Sequence, residues 1–210
     1  MPTLLGRRTP VTTVLLALVA VVFLADLATG HLLIDLGADQ RDLVLAGQWW
    51  RPLTSMFLHG GFVHVLLNAW ALYQLGSLFE ILLGSRSLLS VFLVTGLAGS
   101  CASLMWSNHV SVGASGAIFG LMGALISFLF RRREMLTPFA KSLLGQLVLW
   151  AGINVVFGLS TPQIDNAAHF GGCAAGLLLG LLLKPRQPPP PPRYEPDPSP
   201  AQWPPGGTGA

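Results

Sequence analysis

Six stretches of this chain are apolar for about the length that a helix needs to cross a lipid bilayer. A transmembrane helix requires roughly 20 mostly apolar residues, because it rises about 1.5 Å per residue and the hydrocarbon layer is about 30 Å thick. The fourth and sixth stretches are slightly short. The stretches cover residues 11–29, 62–83, 88–106, 113–130, 139–159 and 167–183. They predict an all-α membrane protein built as a six-transmembrane helical bundle.

The composition points to lipid as the main solvent. Hydrophobic residues make up 52% of the chain and charged residues 10%, whereas soluble domains carry about 25% charged residues. The net charge of +3 comes from basic residues at the ends of apolar stretches, so we expect no nucleic-acid partner. Cys101 and Cys173 lie inside apolar stretches without metal-ligand spacing, so we expect no metal and no cofactor.

The basic residues predict the orientation of the bundle. With a cytoplasmic N-terminus, six spans place ten of the twelve Lys and Arg residues on the cytoplasmic side, as the positive-inside rule requires. The two on the outer side are Arg41 and Arg51. The first stretch could be a signal peptide, but its length and the lack of a clear cleavage site favour a retained anchor.

Three segments follow from this topology. Residues 1–10 are predicted to be a cytoplasmic N-terminus, residues 11–184 the membrane domain, and residues 185–210 a proline-rich, disordered cytoplasmic tail. The bias towards alanine, glycine and proline, without an organelle signal, favours a multi-pass protein of a bacterial plasma membrane.

Polar residues recur at one depth in the second, fourth and sixth stretches, which run in the same direction. His64, Ser115 and His169 lie 15 or 16 residues before the charge that ends their stretch. At about 1.5 Å per residue, all three sit roughly 22–24 Å above the cytoplasmic boundary. Asn68 follows His64 by one helical turn. Polar residues within a membrane usually mark function, although hydrogen bonds between helices explain His64 and Asn68 equally well.

Glycines on the fourth and sixth stretches predict that these two helices pack closely. Each helix has a face of small residues, and such faces let backbones approach, although they are common in membranes. The faces consist of Gly116, Gly120 and Gly123 on one helix and Gly172, Gly176 and Gly180 on the other. Close approach would bring His169 within hydrogen-bond reach of Ser115, where it could act as the base that activates a serine nucleophile.

An oxyanion intermediate formed on Ser115 would need hydrogen-bond donors in a dry site. The candidates are the backbone N–H of Ser115, which opens a helix, and the side chains of His64 and Asn68.

The sequence resembles rhomboid intramembrane proteases over about residues 12–183. Five motifs carry the resemblance, and together they are far more specific than the G-x-S-G piece alone. They are WWR at 49–51, HGGFVHVLLN at 59–68, EILLGS at 80–85, GASGAIFG at 113–120 and AAHFGG at 167–172.

The resemblance implies a fold of rhomboid type and a catalytic dyad of Ser115 and His169, with His64 and Asn68 at the oxyanion site. It implies substrates that are single-span membrane proteins, cut near the outer leaflet. It also implies an aromatic ring packed on the catalytic histidine; family members commonly have tyrosine there, and this chain has Phe119. Whether Asp165 or Asn166 assists His169 is left open, as are the natural substrate and the oligomeric state.

Two other functions compete with a protease. A rhomboid-like protein without activity would bind membrane clients without cutting them, but both Ser115 and His169 are present. A small transporter would show paired intramembrane charges or broken helices in two related halves, and the polar residues here do not follow that pattern.

Overall fold

A computed structural model describes residues 8–107, 109–161 and 164–185 of the chain. Its described part is all-helical, and the only β-type pairing there is an isolated bridge between Asp39 and Ser111. The six long helices are α1 (Pro10–Ala28), α2 (Phe62–Leu83), α3 (Ser85–Trp106), α4 (Ser115–Phe130), α5 (Pro138–Leu159) and α6 (Asn166–Leu182). Shorter helical turns cover Leu32–Gly37, Arg41–Leu45, Arg51–Thr54, Ser55–Phe57 and Arg133–Met135.

The predicted all-helical membrane fold is confirmed. Helices α1, α2, α3 and α5 are long and apolar enough to cross a membrane, and α4 and α6 are the shorter apolar helices. Helix α3 begins three residues earlier than predicted, because only Gly84, with φ of +88°, separates it from α2. The predicted tail and most of the N-terminal segment lie outside the described residues.

Helix α4 is the central element of the bundle. It buries 13 of its 16 residues, and its side chains dominate a core that also includes Phe79 and Phe92 from α2 and α3. A helix that is surrounded by other helices does not have to contact lipid along its full length. This explains how a helix of only 16 residues can form the centre of a membrane bundle. Helix α5 is the opposite case, since only Leu147 and Gly158 are buried.

Glycine allows α4 and α6 to touch along their backbones. A Cβ atom built at Gly172 would lie 2.0 Å from the carbonyl oxygen of Gly116, and one at Gly176 would lie 2.0 Å from that of Gly120. No side chain fits at such distances. The two glycine faces therefore bring the starts of α4 and α6 together, on the side where Ser115 and His169 lie.

A buried glutamate ties α1 to α2. The Glu80 carboxylate accepts hydrogen bonds from the backbone N–H groups of Val11 (3.0 Å) and Thr12 (2.9 Å). It also accepts from the hydroxyls of Thr12 (2.8 Å) and Ser85 (2.6 Å). A negative charge at a helix N-terminus satisfies free N–H groups and complements the helix dipole. Glu80 thus caps α1 from a neighbouring helix.

The loop between α1 and α2 is held by Arg51, which is buried. Its guanidinium donates to the carbonyl oxygens of Ala38 (2.7 Å) and Asp35 (2.8 Å) and to Oε1 of Gln48 (2.7 Å). These bonds join separate parts of the loop to one another.

Candidate active site

Ser115 and His169 meet at the starts of two helices. Ser115 is the first residue of α4, and His169 lies in the first turn of α6. The distance from Ser115 Oγ to His169 Nε2 is 2.9 Å, which is within the range of a good hydrogen bond. An imidazole in this position can take the proton of the hydroxyl, as a serine nucleophile requires.

The His169 ring is held by stacking. Phe119, one turn along α4 from Ser115, lies parallel to the imidazole with 4.2 Å between ring centroids and 12° between ring planes. Phe119 is buried. A ring in face contact restricts rotation of the imidazole, which keeps Nε2 directed at Ser115.

His64 lies against the loop that precedes Ser115. A Cβ atom at Gly113 would lie 2.8 Å from both Cε1 and Nε2 of the His64 ring, and Gly113 has a φ of +121°. Glycine is required there by both space and backbone conformation. The Gly113 N–H donates to the carbonyl oxygen of Ser55 at 2.9 Å, which anchors this loop. The structure thus brings His64 beside the Gly113–Ser115 turn.

Asn68, the other predicted oxyanion residue, bonds to the backbone of its own helix. Its Nδ2 donates to the His64 carbonyl oxygen at 2.9 Å, and its buried Oδ1 has no hydrogen-bond partner in the described part of the chain. One of its two amide N–H groups is therefore engaged with the helix backbone. Asn68 would have to rotate before both of its N–H groups could face the site.

Asp165 and Asn166 shape the start of α6. The Asp165 carboxylate accepts from the Ala168 N–H at 3.0 Å and from the Ser103 hydroxyl at 2.5 Å, so it caps α6 and links it to α3. Asn166 donates to the Gly158 carbonyl oxygen at 3.0 Å. Both side chains position the helix that carries His169 and hydrogen-bond to groups other than its ring.

Two buried titratable groups, His59 and Asp39, lie near the site. His59 is buried, and its ring packs 5.1 Å from that of His64. Burial, with a smaller effect of His64, lowers the pKa of His59 to about 4. Asp39 was not singled out at all, because a lone Asp in a loop gives no pattern; it is 1% exposed, and neither carboxylate oxygen has a hydrogen-bond partner among the described residues.

The described residues contain no group of three or more His, Cys, Asp or Glu side chains that could hold a metal ion. The groups gathered at the site are those of acid–base and nucleophilic chemistry.

Comparison with known proteins places the site in a family context. The family model described as the Rhomboid domain matches residues 46–186. The chain is 37% identical over 151 residues to "Rhomboid protease GluP" of Bacillus subtilis, a match that spans 72% of this chain and 29% of that protein. It is 39% identical over 166 residues to "RHOMBOID-like protein 5" of Arabidopsis thaliana, which spans 77% of this chain and 53% of that protein.

A shorter relative matches along most of its length. "Putative rhomboid protease YdcA" of Bacillus subtilis is 32% identical over 181 residues, which is 84% of this chain and 89% of that protein. The chain thus spans about half or less of the two longer relatives but nearly all of the shorter one.

Proposed function

Because the chain belongs to the rhomboid family, we propose that it is an intramembrane serine endopeptidase that cuts other membrane proteins within their spans. Its bundle is an integral membrane fold of rhomboid type. The observation that carries the proposal is the 2.9 Å contact between Ser115 Oγ and His169 Nε2. The two residues act as a catalytic dyad, and Phe119 holds the imidazole in place.

The proposed reaction proceeds in two steps. Ser115 Oγ attacks the carbonyl carbon of the scissile peptide bond while its proton passes to His169 Nε2. The C–N bond then breaks, His169 returns the proton to the leaving amine nitrogen, and an acyl-enzyme ester remains. Water, deprotonated by His169, hydrolyses the ester and restores the serine hydroxyl. Neither step requires a metal or a cofactor.

The oxyanion of each tetrahedral intermediate would be stabilised at the start of α4. The Ser115 N–H belongs to the first turn of the helix, where N–H groups are free and the helix dipole favours negative charge. The His64 ring lies over the preceding glycine. Asn68 joins these donors by turning its amide away from the His64 carbonyl oxygen.

His64→Ala and Asn68→Ala should each lower kcat by about 10²-fold with little change in KM, because a lost oxyanion donor weakens binding of the transition state more than of the substrate. Steady-state cleavage of a quenched fluorescent membrane substrate in detergent measures both constants. Tyr73→Phe is a control on the same helix, since Tyr73 is exposed. Full activity in both alanine variants would remove the oxyanion assignment.

We further propose that substrate enters between α2 and α5. Helix α5 is the least buried of the six, so its displacement breaks few internal contacts. At its contact with α2, Trp70 and Trp150 pack edge to face with centroids 6.5 Å apart. Opening of this contact would give a transmembrane segment a lateral route from lipid to Ser115.

The basic residues support a bundle whose termini face the cytoplasm, with the Ser115–His169 pair in the outer part of the membrane. Arg131 and Arg132 follow α4 and donate to the carbonyl oxygens of Leu181 and Leu183 at the end of α6. This arrangement favours cleavage near the outer leaflet and segments 1–10 and 185–210 in the cytoplasm. The membrane is proposed to be a bacterial plasma membrane.

The decisive experiment reconstitutes the purified full chain into liposomes with a single-span substrate whose outer half contains small, helix-weakening residues. Mass spectrometry of the products should identify one cut in the outer part of the span. Ser115→Ala in parallel liposomes excludes a contaminating protease. A substrate that stays intact but co-purifies with the wild-type chain would favour a client-binding protein without activity.

A further inference from the structure

Asp39 is a buried carboxyl group that the proposed reaction does not use. It lies in the loop between α1 and α2, is 1% exposed, and has no hydrogen-bond partner for either oxygen among the described residues. Burying a carboxylate without partners is costly, and such a group tends to take up a proton instead. A buried group of this kind requires an explanation.

Asp39 sits where the loop pairs with the segment that leads to Ser115. Its N–H donates to the Ser111 carbonyl oxygen at 3.0 Å and its carbonyl oxygen accepts from the Ser111 N–H at 2.9 Å. Ser111 precedes Ser115 by four residues. Asp165, whose negative charge acts on Asp39, caps α6 and precedes His169 by four residues. Movement at Asp39 would therefore reach the serine through a short connection, and its charge would act on the helix that carries the histidine.

The charges around Asp39 oppose its ionisation. Burial is the main cause that raises its pKa to about 7, followed by the negative charge of Asp165, whereas the positive charge of Arg51 lowers it. The Arg51 guanidinium is committed to two carbonyl oxygens of the loop and to Gln48. His109, on the Ser111 side, is exposed. Asp165 is therefore the charged group through which ionised Asp39 would repel the helix of His169.

We propose that Asp39 is a positioning residue that keeps the loop docked against the starts of α4 and α6 only while its carboxyl group is protonated. The inference rests on the function proposed for Ser115 and His169. A neutral carboxyl group can stay buried without partners at much lower cost than a carboxylate. Loss of the proton places a second negative charge, besides that of Asp165, near the start of α6. The loop then separates from Asp165, and the alignment of Ser115 with His169 is disturbed.

The direction of the pH effect follows from linkage. The pKa of the Asp39 carboxyl group is 3.8 in the unfolded chain and about 7 in the folded protein. The folded state binds this proton more tightly, so the stability it provides is complete below about pH 4 and is lost as pH rises to about 7. Asparagine at this position is similar in size and is neutral at every pH.

The test compares the full-length wild type with Asp39→Asn, and with Asp42→Asn as a matched control, since Asp42 is exposed in the same loop. The rate at which a fluorophosphonate labels Ser115 is measured at pH 6 and at pH 8. A group with a pKa of about 7 is about nine-tenths neutral at pH 6 and about one-tenth at pH 8. The ratio of the Asp39→Asn rate to the wild-type rate should therefore rise about tenfold, while the Asp42→Asn ratio stays constant. A constant ratio for Asp39→Asn would overturn the proposal.

Hydrogen–deuterium exchange gives a readout that does not depend on activity. At pH 8, amides of residues 109–115 and 164–169 should exchange more slowly in Asp39→Asn than in the wild type, and at pH 6 they should exchange alike. Equal exchange at pH 8 contradicts the positioning role. Failure of the probe to label even the wild type contradicts the assignment of Ser115 as nucleophile. The exchange rates then test the positioning role of Asp39 independently of that assignment. If the asparagine variant is not recovered folded, Asp39→Ser provides a second neutral hydrogen-bonding side chain.

Discussion

Ser115→Ala should abolish cleavage of a transmembrane substrate, with a loss of at least about 10³-fold in kcat. The reason is that the variant lacks the proposed nucleophile, the Ser115 Oγ atom that lies 2.9 Å from His169 Nε2. His169→Ala should cause a similar loss, because the two groups act as one unit and their effects do not add. Cleavage by purified variants in liposomes and labelling by a fluorophosphonate both measure the change.

The control for this loss is another serine of the same helix. Ser127 is buried in α4, and its hydroxyl bonds only to the Ala124 carbonyl oxygen among the described residues. Ser127→Ala should keep cleavage within a few-fold of the wild type. Both variants should insert and unfold like the parent, since alanine fits either position. Cleavage at the same peptide bond by Ser115→Ala would show that the nucleophile lies elsewhere.

Gly176→Ala should damage the site from two helical turns away. The new methyl group would lie 2.0 Å from the carbonyl oxygen of Gly120, and backbone cannot yield as a flexible side chain can. Helices α4 and α6 must then separate. Overpacking of this kind costs about 1–3 kcal/mol of stability, and a displacement of about 1 Å between reacting groups can reduce the rate by about 10²-fold.

Gly152→Ala provides the matched control, because a Cβ atom there meets nothing within 4 Å on the exposed face of α5. Gly152→Ala should leave the stability and the rate of Ser115 labelling unchanged, or raise the stability slightly, since alanine is the better helix former. Thermal unfolding in detergent and the rate of Ser115 labelling are the measurements. Wild-type stability and labelling in Gly176→Ala would mean that α4 and α6 are not held in backbone contact.

The outline of the fold could be read from apolar length alone. The six helices begin and end within three residues of the predicted stretches, apart from the unpredicted helical turns in the loops. Hydrophobic length is a local property, and the membrane imposes a fixed thickness on it. The depth argument for His64, Ser115 and His169 also needed only helical rise, and these three residues lie together in the structure.

The hydrogen-bond partners of the site residues could not be predicted from the sequence. The orientation of the Asn68 amide depends on which acceptor lies nearest, here the His64 carbonyl oxygen, and residue type does not determine this. The role of Asp165 as a cap that also reaches Ser103 joins residues 62 positions apart. Both outcomes depend on which partner lies nearest once the helices have packed.

The sequence by itself determined the number and approximate length of the long helices and the level along them at which the polar residues lie, because the apolar length of each segment is a local property. Only the tertiary structure decided that Glu80 caps a helix that begins 70 residues earlier, and that Asp39 is buried with no hydrogen-bond partner among the described residues. The physical reason is that the energy of a charge depends on the groups around it, and those groups come from distant parts of the chain.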